Sequence, residues 1–181
     1  MVNSEFISLC SKAWSIQILA YMVNENDPRI SPITHYFSAS RTSISAALEH
    51  LIKFGYLRKN TGRGHPLRPA YVLTGKGKPV AEWAVELNKF LGPDDWRIAR
   101  RTWALPILRH VIPESRYGEL RAKLNPVTDR ALSETLKMLG GHQWLDRLVD
   151  ASLAPPSVTY IPQGTGKMLV PVLSESLNIY S

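Results

Sequence analysis

The sequence has a single cysteine, Cys10, among its 181 residues. A disulfide within the chain is therefore excluded, which suits a reducing compartment. The sequence also lacks any run approaching the roughly 18 consecutive apolar residues that would span a bilayer. Its first ten residues, MVNSEFISLC, lack the basic-then-apolar pattern of a signal peptide. Together these absences predict a cytoplasmic protein that does not enter a membrane.

Catalytic motifs are missing as well. A P-loop requires G-x-x-x-x-G-K-[ST], because the loop wraps a phosphate and its last hydroxyl holds Mg²⁺. Here Pro79 follows the Gly-Lys pair at 77–78, Met168 follows the pair at 166–167, and the first glycine is absent from both. There is no G-x-S-x-G, no H-E-x-x-H and no cysteine pair, and the five histidines lack ligand spacing. We therefore expect no enzyme, with no catalytic residue, no metal site and no cofactor.

The sequence has an excess of positive charge. The chain has 22 Lys and Arg against 15 Asp and Glu, a formal net charge of +7. Residues 1–92 carry 11 Lys and Arg against 6 Asp and Glu, a net of +5, and residues 93–181 carry 11 against 9, a net of +2. A basic excess favours polyanionic partners such as nucleic acid. The proportions of 44% apolar and 20% charged residues are typical of a globular protein rather than a disordered one.

Three short blocks of sequence occur twice, in the same order and at nearly the same spacing. The first block begins at Trp14 and again at Trp103, 89 residues later. This repetition predicts two tandem copies, at residues 1–92 and 93–181, which meet near the helix-ending Gly-Pro pair at 92–93. The paired blocks are WSIQIL (14–19) and WALPIL (103–108), LEHL (48–51) and LKML (136–139), and YVLTGKGK (71–78) and YIPQGTGK (160–167).

The first copy has the pattern of a small helical domain with one hairpin. Apolar side chains recur at helical spacing in several segments, Ser40 can cap the helix that follows it, and Gly55 can end that helix. The order helix, helix, helix, hairpin, helix is that of a winged helix. The predicted helices are residues 4–24, 32–37, 41–54 and 74–90, and the predicted strands are residues 56–59 and 69–73, joined by residues 60–68.

The predicted helix at 41–54 has the clearest amphipathic pattern in the chain. Its opposite face carries small hydrogen-bonding side chains, with Arg41 near the N-terminal end. Such a face suits the major groove of DNA, where Arg, Ser and Thr reach base edges or phosphates. An ordinary solvated face is the alternative interpretation of this helix taken alone. The apolar stripe consists of Ile44, Ala47, Leu48, Leu51 and Ile52.

Residues 31–82 resemble the helix-turn-helix and wing of MarR-type transcription regulators. The motifs that carry the resemblance are SASRTSISAALEHLIKFGYL and AYVLTGKGKPV. The second copy is similar to the HxlR branch of the same superfamily, through RTWALPIL, RYGELRAKLNPVTDRALSETLKMLGGHQWL and PPSVTYIPQGTGKMLVPVL. The resemblance implies a mainly α fold with small β-hairpin wings (α+β), in two tandem winged helix-turn-helix domains. It further implies a cytoplasmic, sequence-specific DNA-binding regulator of transcription.

The resemblance also implies a second recognition helix at about residues 128–139, with Leu132, Leu136 and Leu139 buried. Redox-sensing HxlR members carry a cysteine well ahead of the first tryptophan helix. Cys10 lies only four residues before Trp14 and is interpreted as a small core residue. The predicted DNA-binding residues are Arg41, Thr42, Ser43 and Ser45 in the first recognition helix, Arg58, Lys59, Arg63 and Arg68 in the first wing, and Arg130, Ser133 and Lys137 in the second recognition helix.

The expected partner is double-stranded DNA, bound by a homodimer or by one chain as an intramolecular pseudo-dimer. The second wing, at 146–156, has one Arg and two Asp, so the second copy is alternatively a dimerisation or partner-binding domain. A replication initiator with paired winged helices and a winged-helix protein-interaction module remain as other classes. The sequence indicates no small-molecule effector and no target site.

Overall fold

The computed structural model describes residues 3–25, 28–60, 69–152, 154, 156–176 and 179. This part of the chain is mostly helical, with two small antiparallel sheets. The helices are α1 (Asn3–Cys10), α2 (Ser15–Asn24), α3 (Ile30–Phe37), α4 (Arg41–Lys53), α5 (Gly77–Asn88), α6 (Pro93–Ala99), α7 (Ala104–His110), α8 (Tyr117–Lys123), α9 (Asp129–Gly141) and α10 (Gly164–Glu175). The strands are β1 (Leu57–Asn60), β2 (Ala70–Leu73), β3 (Ser115–Arg116), β4 (Leu145–Asp150) and β5 (Ser157–Pro162).

The chain folds into two compact units. Residues 12–89 form one unit, and residues 90–181 together with residues 1–11 form the other. The first eleven residues therefore pack with a part of the chain that is distant in sequence. The predicted domains, 1–92 and 93–181, were defined by the sequence repeat rather than by packing and stay a prediction.

A single helix over residues 4–24 is wrong. The chain forms two helices instead, α1 and α2. Both the backbone N–H and the hydroxyl of Ser11 donate to the carbonyl of Ser8, at 3.0 and 2.7 Å, and this tight turn ends α1. No single described helix is long and apolar enough to cross a membrane, and only α1 and α2 taken together reach that length and composition.

Residues 12–89 have the element order predicted for a winged helix. α2 packs against α5 and α4, and α3 packs against α4. The hairpin pairs β1 with β2 in antiparallel register from Leu57 opposite Leu73 to Asn60 opposite Ala70. The apolar stripe of α4 is confirmed as core: Ile44, Leu48 and Leu51 are fully buried. The outer face of α4 is thereby left to solvent.

Among the described residues, the unit formed by residues 90–181 and 1–11 has a larger sheet and two more helices than residues 12–89. Its three strands lie in the order β3-β5-β4, all antiparallel. α7 packs against α10, α9 and α1. At the start of α6, the N–H of Gly92 donates to the Asp95 carboxylate at 3.1 Å. The helix expected at about residues 128–139 corresponds to α9, on which Leu132, Leu136 and Leu139 are buried.

The repeated sequence blocks adopt matching local structure in the two units. Trp14 precedes α2 with φ and ψ of −104° and −3°, and Trp103 precedes α7 with −101° and −5°. Ser40 caps α4 and Thr128 caps α9. Each hydroxyl accepts a hydrogen bond from the backbone N–H three residues later, at 3.1 and 3.2 Å. The two capped helices have the same length, 13 residues.

The repeated glycines are required by close packing. A Cβ placed on Gly77 would coincide with the backbone carbonyl of Tyr56, and one placed on Gly166 would coincide with that of Trp144. In each unit the start of the last helix thus lies directly against the residue that precedes the hairpin. The glycine–lysine segments are packing elements of the fold, which agrees with their failure to match a P-loop.

Candidate nucleic-acid interface

The outer face of α4 presents four of the predicted DNA-binding residues. Arg41, Thr42 and Ser43 are exposed and Ser45 is half-buried. Ser43 also takes part in the helix cap, because the Ser40 hydroxyl donates to its hydroxyl at 2.8 Å. The other three residues line a shallow depression of about 390 Å³ together with Ala46 and Glu49. The structure therefore brings Arg41, Thr42 and Ser45 onto one continuous concave surface.

The side chain of Tyr71, on β2, connects this face with the hairpin. Burial raises the pKa of Tyr71, the Glu49 carboxylate raises it further, and the Arg41 guanidinium partly opposes both. Two charged side chains of α4, Arg41 and Glu49, are thus within electrostatic reach of Tyr71. The residues of β2 around Tyr71 therefore lie near the outer face of α4.

Only one of the two described basic residues of the first wing lies on that side. Lys59 is paired with Tyr71 across the hairpin, and directly opposite residues share a face of a sheet. Arg58 is the neighbouring residue, so its side chain projects to the opposite face. Both are exposed. The remaining predicted wing residues, Arg63 and Arg68, lie outside the described residues.

The outer face of α9 presents Arg130, Ser133 and Lys137, all exposed as predicted. Arg130 forms an ion pair with Glu134 at 2.7 Å, and this hydrogen bond raises the pKa of the guanidinium. The side chains are 86% and 65% exposed, so the pair adds little stability, but it places a carboxylate beside a predicted DNA contact.

A second ion pair lies at the N-terminal end of α9. Arg121, on α8, contacts the Asp129 carboxylate at 2.9 Å. The Tyr117 hydroxyl donates to the same carboxylate at 3.2 Å and lies 3.2 Å from the Ser133 hydroxyl. Ser133 is therefore part of a side-chain network that orients the first turn of α9.

A groove of about 590 Å³ separates α9 from its hairpin. Lys137 and Arg147 line it from opposite sides, with Tyr117 and Tyr160 between them. Sequence reasoning missed Arg147 and Tyr160. The repeat could have found both, because Arg147 lies 88 residues after Lys59 and Tyr160 lies 89 residues after Tyr71. Each unit thus places a cation and a tyrosine of its hairpin beside its capped helix.

Cys10 is buried, and burial strongly raises its pKa. Its predicted role as a core residue is confirmed. The nearby Arg109, on α7, is only 3% exposed, and its guanidinium lies 4.5 Å from the centre of the Phe6 ring. Both α1 residues pack over α7. The thiol is therefore a packing element of α1 in this unit.

Residues 98–179 match the family described as HxlR-like helix-turn-helix. A similar solved structure is described as a transcriptional regulator of the MarR family from Porphyromonas gingivalis W83. It is 24% identical, covers 47% of this chain and 83% of its own, and has a TM-score of 0.43. A similarity this low does not establish a shared fold or function. No curated protein matches the chain. The family match, which includes α9 and its hairpin, supports a DNA-binding transcription regulator of the winged helix-turn-helix type.

Proposed function

We propose that the protein is a sequence-specific regulator of transcription that binds double-stranded DNA through two tandem winged helix-turn-helix domains. In the first domain, α4 enters the major groove and the basic wing, residues 58–68, contacts the backbone or the minor groove. The observation that carries this proposal is the concave surface formed by Arg41, Thr42 and Ser45, which the hairpin extends with Lys59.

The tandem arrangement is supported by the matching local structure of the two units. Equivalent caps, equivalent tryptophans and equivalent close-packed glycines recur about 88 or 89 residues apart. Each of these features depends on a specific backbone geometry, so their joint recurrence favours duplication of a domain over chance.

Two copies in one chain would offer DNA two recognition helices without a second subunit. Dimeric regulators obtain the same arrangement from two identical chains. We therefore propose an intramolecular pseudo-dimer, with a homodimer of the whole chain as the alternative. The predicted cytoplasmic location fits this role and stays a prediction.

A second candidate function follows from the ion pairs on α9. Glu134 and Asp129 place two carboxylates on the face that would meet phosphates. Like charges disfavour such a contact. A domain of this kind could instead serve dimerisation or bind a protein partner, while α4 alone contacts DNA.

The test is DNA binding by the full chain as a function of salt. Fluorescence anisotropy with genomic duplex fragments should show affinity that falls steeply with salt, because each phosphate contact releases counterions. The double variant Arg41→Ala, Lys59→Ala should bind about tenfold or more weakly and lower the slope of log K against log salt by about 1–2. A matched variant, Lys12→Ala, Lys89→Ala, removes the same charge from exposed positions outside α4 and the hairpin.

Equal losses in the two double variants would show that net charge alone is responsible and would contradict the proposed interface. Footprinting of the bound fragments then separates the functional classes. Protection overlapping promoters supports regulation of transcription, whereas protection of repeated sites at an origin supports replication initiation. Absence of DNA binding at low salt would leave a protein-interaction module.

A further inference from the structure

The capped helices and the strands after them can be compared position by position. From Ser40 to Lys59, each residue has a counterpart 88 positions later. The cap and most of the buried positions agree between the two units. The agreeing pairs are Ser40 and Thr128, Ile44 and Leu132, Leu48 and Leu136, Leu51 and Leu139, Tyr56 and Trp144, and Leu57 and Leu145.

Two exposed positions of the helices in this stretch have opposite charges. At the first residue of the helix, Arg41 corresponds to Asp129. Two turns later, Glu49 corresponds to Lys137. All four residues are exposed; Arg41 and Glu49 line the depression and Lys137 lines the groove described above. The charges at these two positions are therefore reversed between α4 and α9.

The hairpins differ in the same way at one position. Arg58 on β1 corresponds to Asp146 on β4, and both are exposed. The next residue remains basic in both units, as Lys59 and Arg147. Both hairpins therefore carry a basic residue at the second of these positions, and only the first hairpin carries one at the position before it.

These differences change which bases each helix can bind. In the major groove, Arg and Lys donate to the O6 and N7 atoms of guanine, whereas Asp and Glu accept from the N4 amino group of cytosine. In α4, Arg41 is followed two turns later by Glu49, whereas in α9 Asp129 is followed two turns later by Lys137, so the two helices favour different base orders. Two identical helices would bind two identical half-sites, in inverted or direct order; these two are not identical.

We propose that the protein recognises a non-palindromic DNA site composed of two unlike half-sites, one bound by α4 and the other by α9. This inference rests on the proposed function, since it assumes that both domains contact DNA. The α9 half contributes less affinity, because Arg130 is paired with Glu134 and its hairpin carries Asp146, which lines the groove, in place of Arg58.

Selection of bound duplexes from a random library tests the proposal with the full chain. The expected result for the wild type is a site with two different motifs. Arg41→Asp should alter the first motif and leave the second unchanged, and Lys137→Glu should do the reverse. The exchange variant Asp129→Arg, Lys137→Glu gives α9 the charges of α4 at these two positions and should make the two motifs more alike. All of these positions are exposed, and thermal melting confirms that each variant is folded.

Two outcomes would overturn the inference while the proposed function stands: a palindrome of two identical motifs, or a single motif that no α9 variant changes. A wild type that enriches no sequence contradicts the proposed function itself. The selection therefore distinguishes failure of this inference from failure of the proposed function. The wild-type motif alone shows whether the two half-sites differ, even if one variant does not fold.

Discussion

Residues 12–89 and residues 90–181 differ most where side chains meet solvent and least where the backbone is crowded. Gly77 and Gly166 face the same steric requirement, whereas Arg41 and Asp129 occupy the same helical position with opposite charge. A close-packed interior tolerates few changes of volume, while an exposed charge alters stability little. The comparison indicates that one scaffold can present two different surfaces to a partner at almost no structural cost.

The second difference between the units lies at α1. This helix packs over α7, where Arg109 is buried against the Phe6 ring. The corresponding position in the other unit, 89 residues earlier, is Ala20. A guanidinium can be buried on α7 because an aromatic face and an additional helix cover it. Among the described residues, a buried charge thus lies in the unit with α1 and not at the corresponding position of the other unit.

The largest effect on stability is expected from adding a Cβ atom at the two close-packed glycines. Gly77→Ala and Gly166→Ala should each lower the free energy of unfolding by about 3 kcal/mol, because a Cβ would meet a backbone carbonyl that has little room to move. Hydrogen exchange measured by mass spectrometry reports the loss for each unit separately. Faster exchange should be concentrated in residues 12–89 for the first variant and in residues 90–181 for the second.

Matched controls exist in both units. A Cβ on Gly75 or on Gly118 meets no atom within 4 Å. Gly75→Ala and Gly118→Ala should therefore change stability by less than about 0.5 kcal/mol. If the crowded and open glycines respond alike, the close approach is not what distinguishes them, and the equivalence of the two units loses its main steric support.

The features that sequence reasoning found are those with short-range causes. The stripe of α4 and the cap at Ser40 follow from residues within a few positions of one another. The break after Cys10 was missed, because apolar residues continue at helical spacing on both sides of it. The docking of α1 on α7 was missed because it joins segments about 100 residues apart in the chain, and no periodic pattern encodes such a contact.

The same reasoning explains how much of the candidate site was predicted. The outward residues of α4 follow from helical periodicity, and those of α9 follow from the family resemblance. The structure exposes all of the predicted residues on these two helices except Ser45, which is half-buried. The ion pairs of Arg121 with Asp129 and of Arg130 with Glu134 depend on rotamers and on the approach of α8, which sequence spacing alone does not specify. Arg147 was overlooked because an acidic wing was judged by its net charge rather than by which face each residue occupies.

Acid should destabilise residues 90–181 more than residues 12–89, with a smaller effect than that of the glycine substitutions. Burial, with the charges of Arg109 and Lys123, lowers the pKa of His110 from 6.5 to about 4. Between these values the unfolded chain binds a proton that the folded chain does not, so the free energy of unfolding falls as the pH falls from 6.5 towards 4. His110 is only half-buried, and the expected loss is roughly 1–2 kcal/mol. The corresponding residue in the other unit is Tyr21, which gives no such loss.

Hydrogen exchange at pH 6.5 and pH 4.5, corrected for intrinsic rates, measures this difference. His110→Gln should reduce the acid-induced loss in residues 90–181, and the exposed His142→Gln should leave it unchanged. Equal acid sensitivity in wild type and His110→Gln would assign the loss to other groups. The His110 imidazole lies 2.9 Å from the Asn3 side chain, and His110→Gln also alters this contact. Asn3→Ala removes the contact but keeps the imidazole, so it separates loss of the hydrogen bond from loss of the titrating group.

The finest test of the comparison concerns the helix caps. Ser40→Ala and Thr128→Ala each remove one side-chain acceptor from an exposed N–H at the start of a 13-residue helix. Loss of such a cap costs about 1 kcal/mol. The Ser40 hydroxyl also donates to Ser43, so its removal should loosen the first turn of α4, whereas α9 retains the contacts of Arg121 and Tyr117 with Asp129. Local exchange should therefore increase more in α4 than in α9, although the two caps have nearly the same geometry. An equal increase would mean that the network at the start of α9 contributes nothing to its order, and would remove the reason to expect that α9 presents Asp129 in a fixed position.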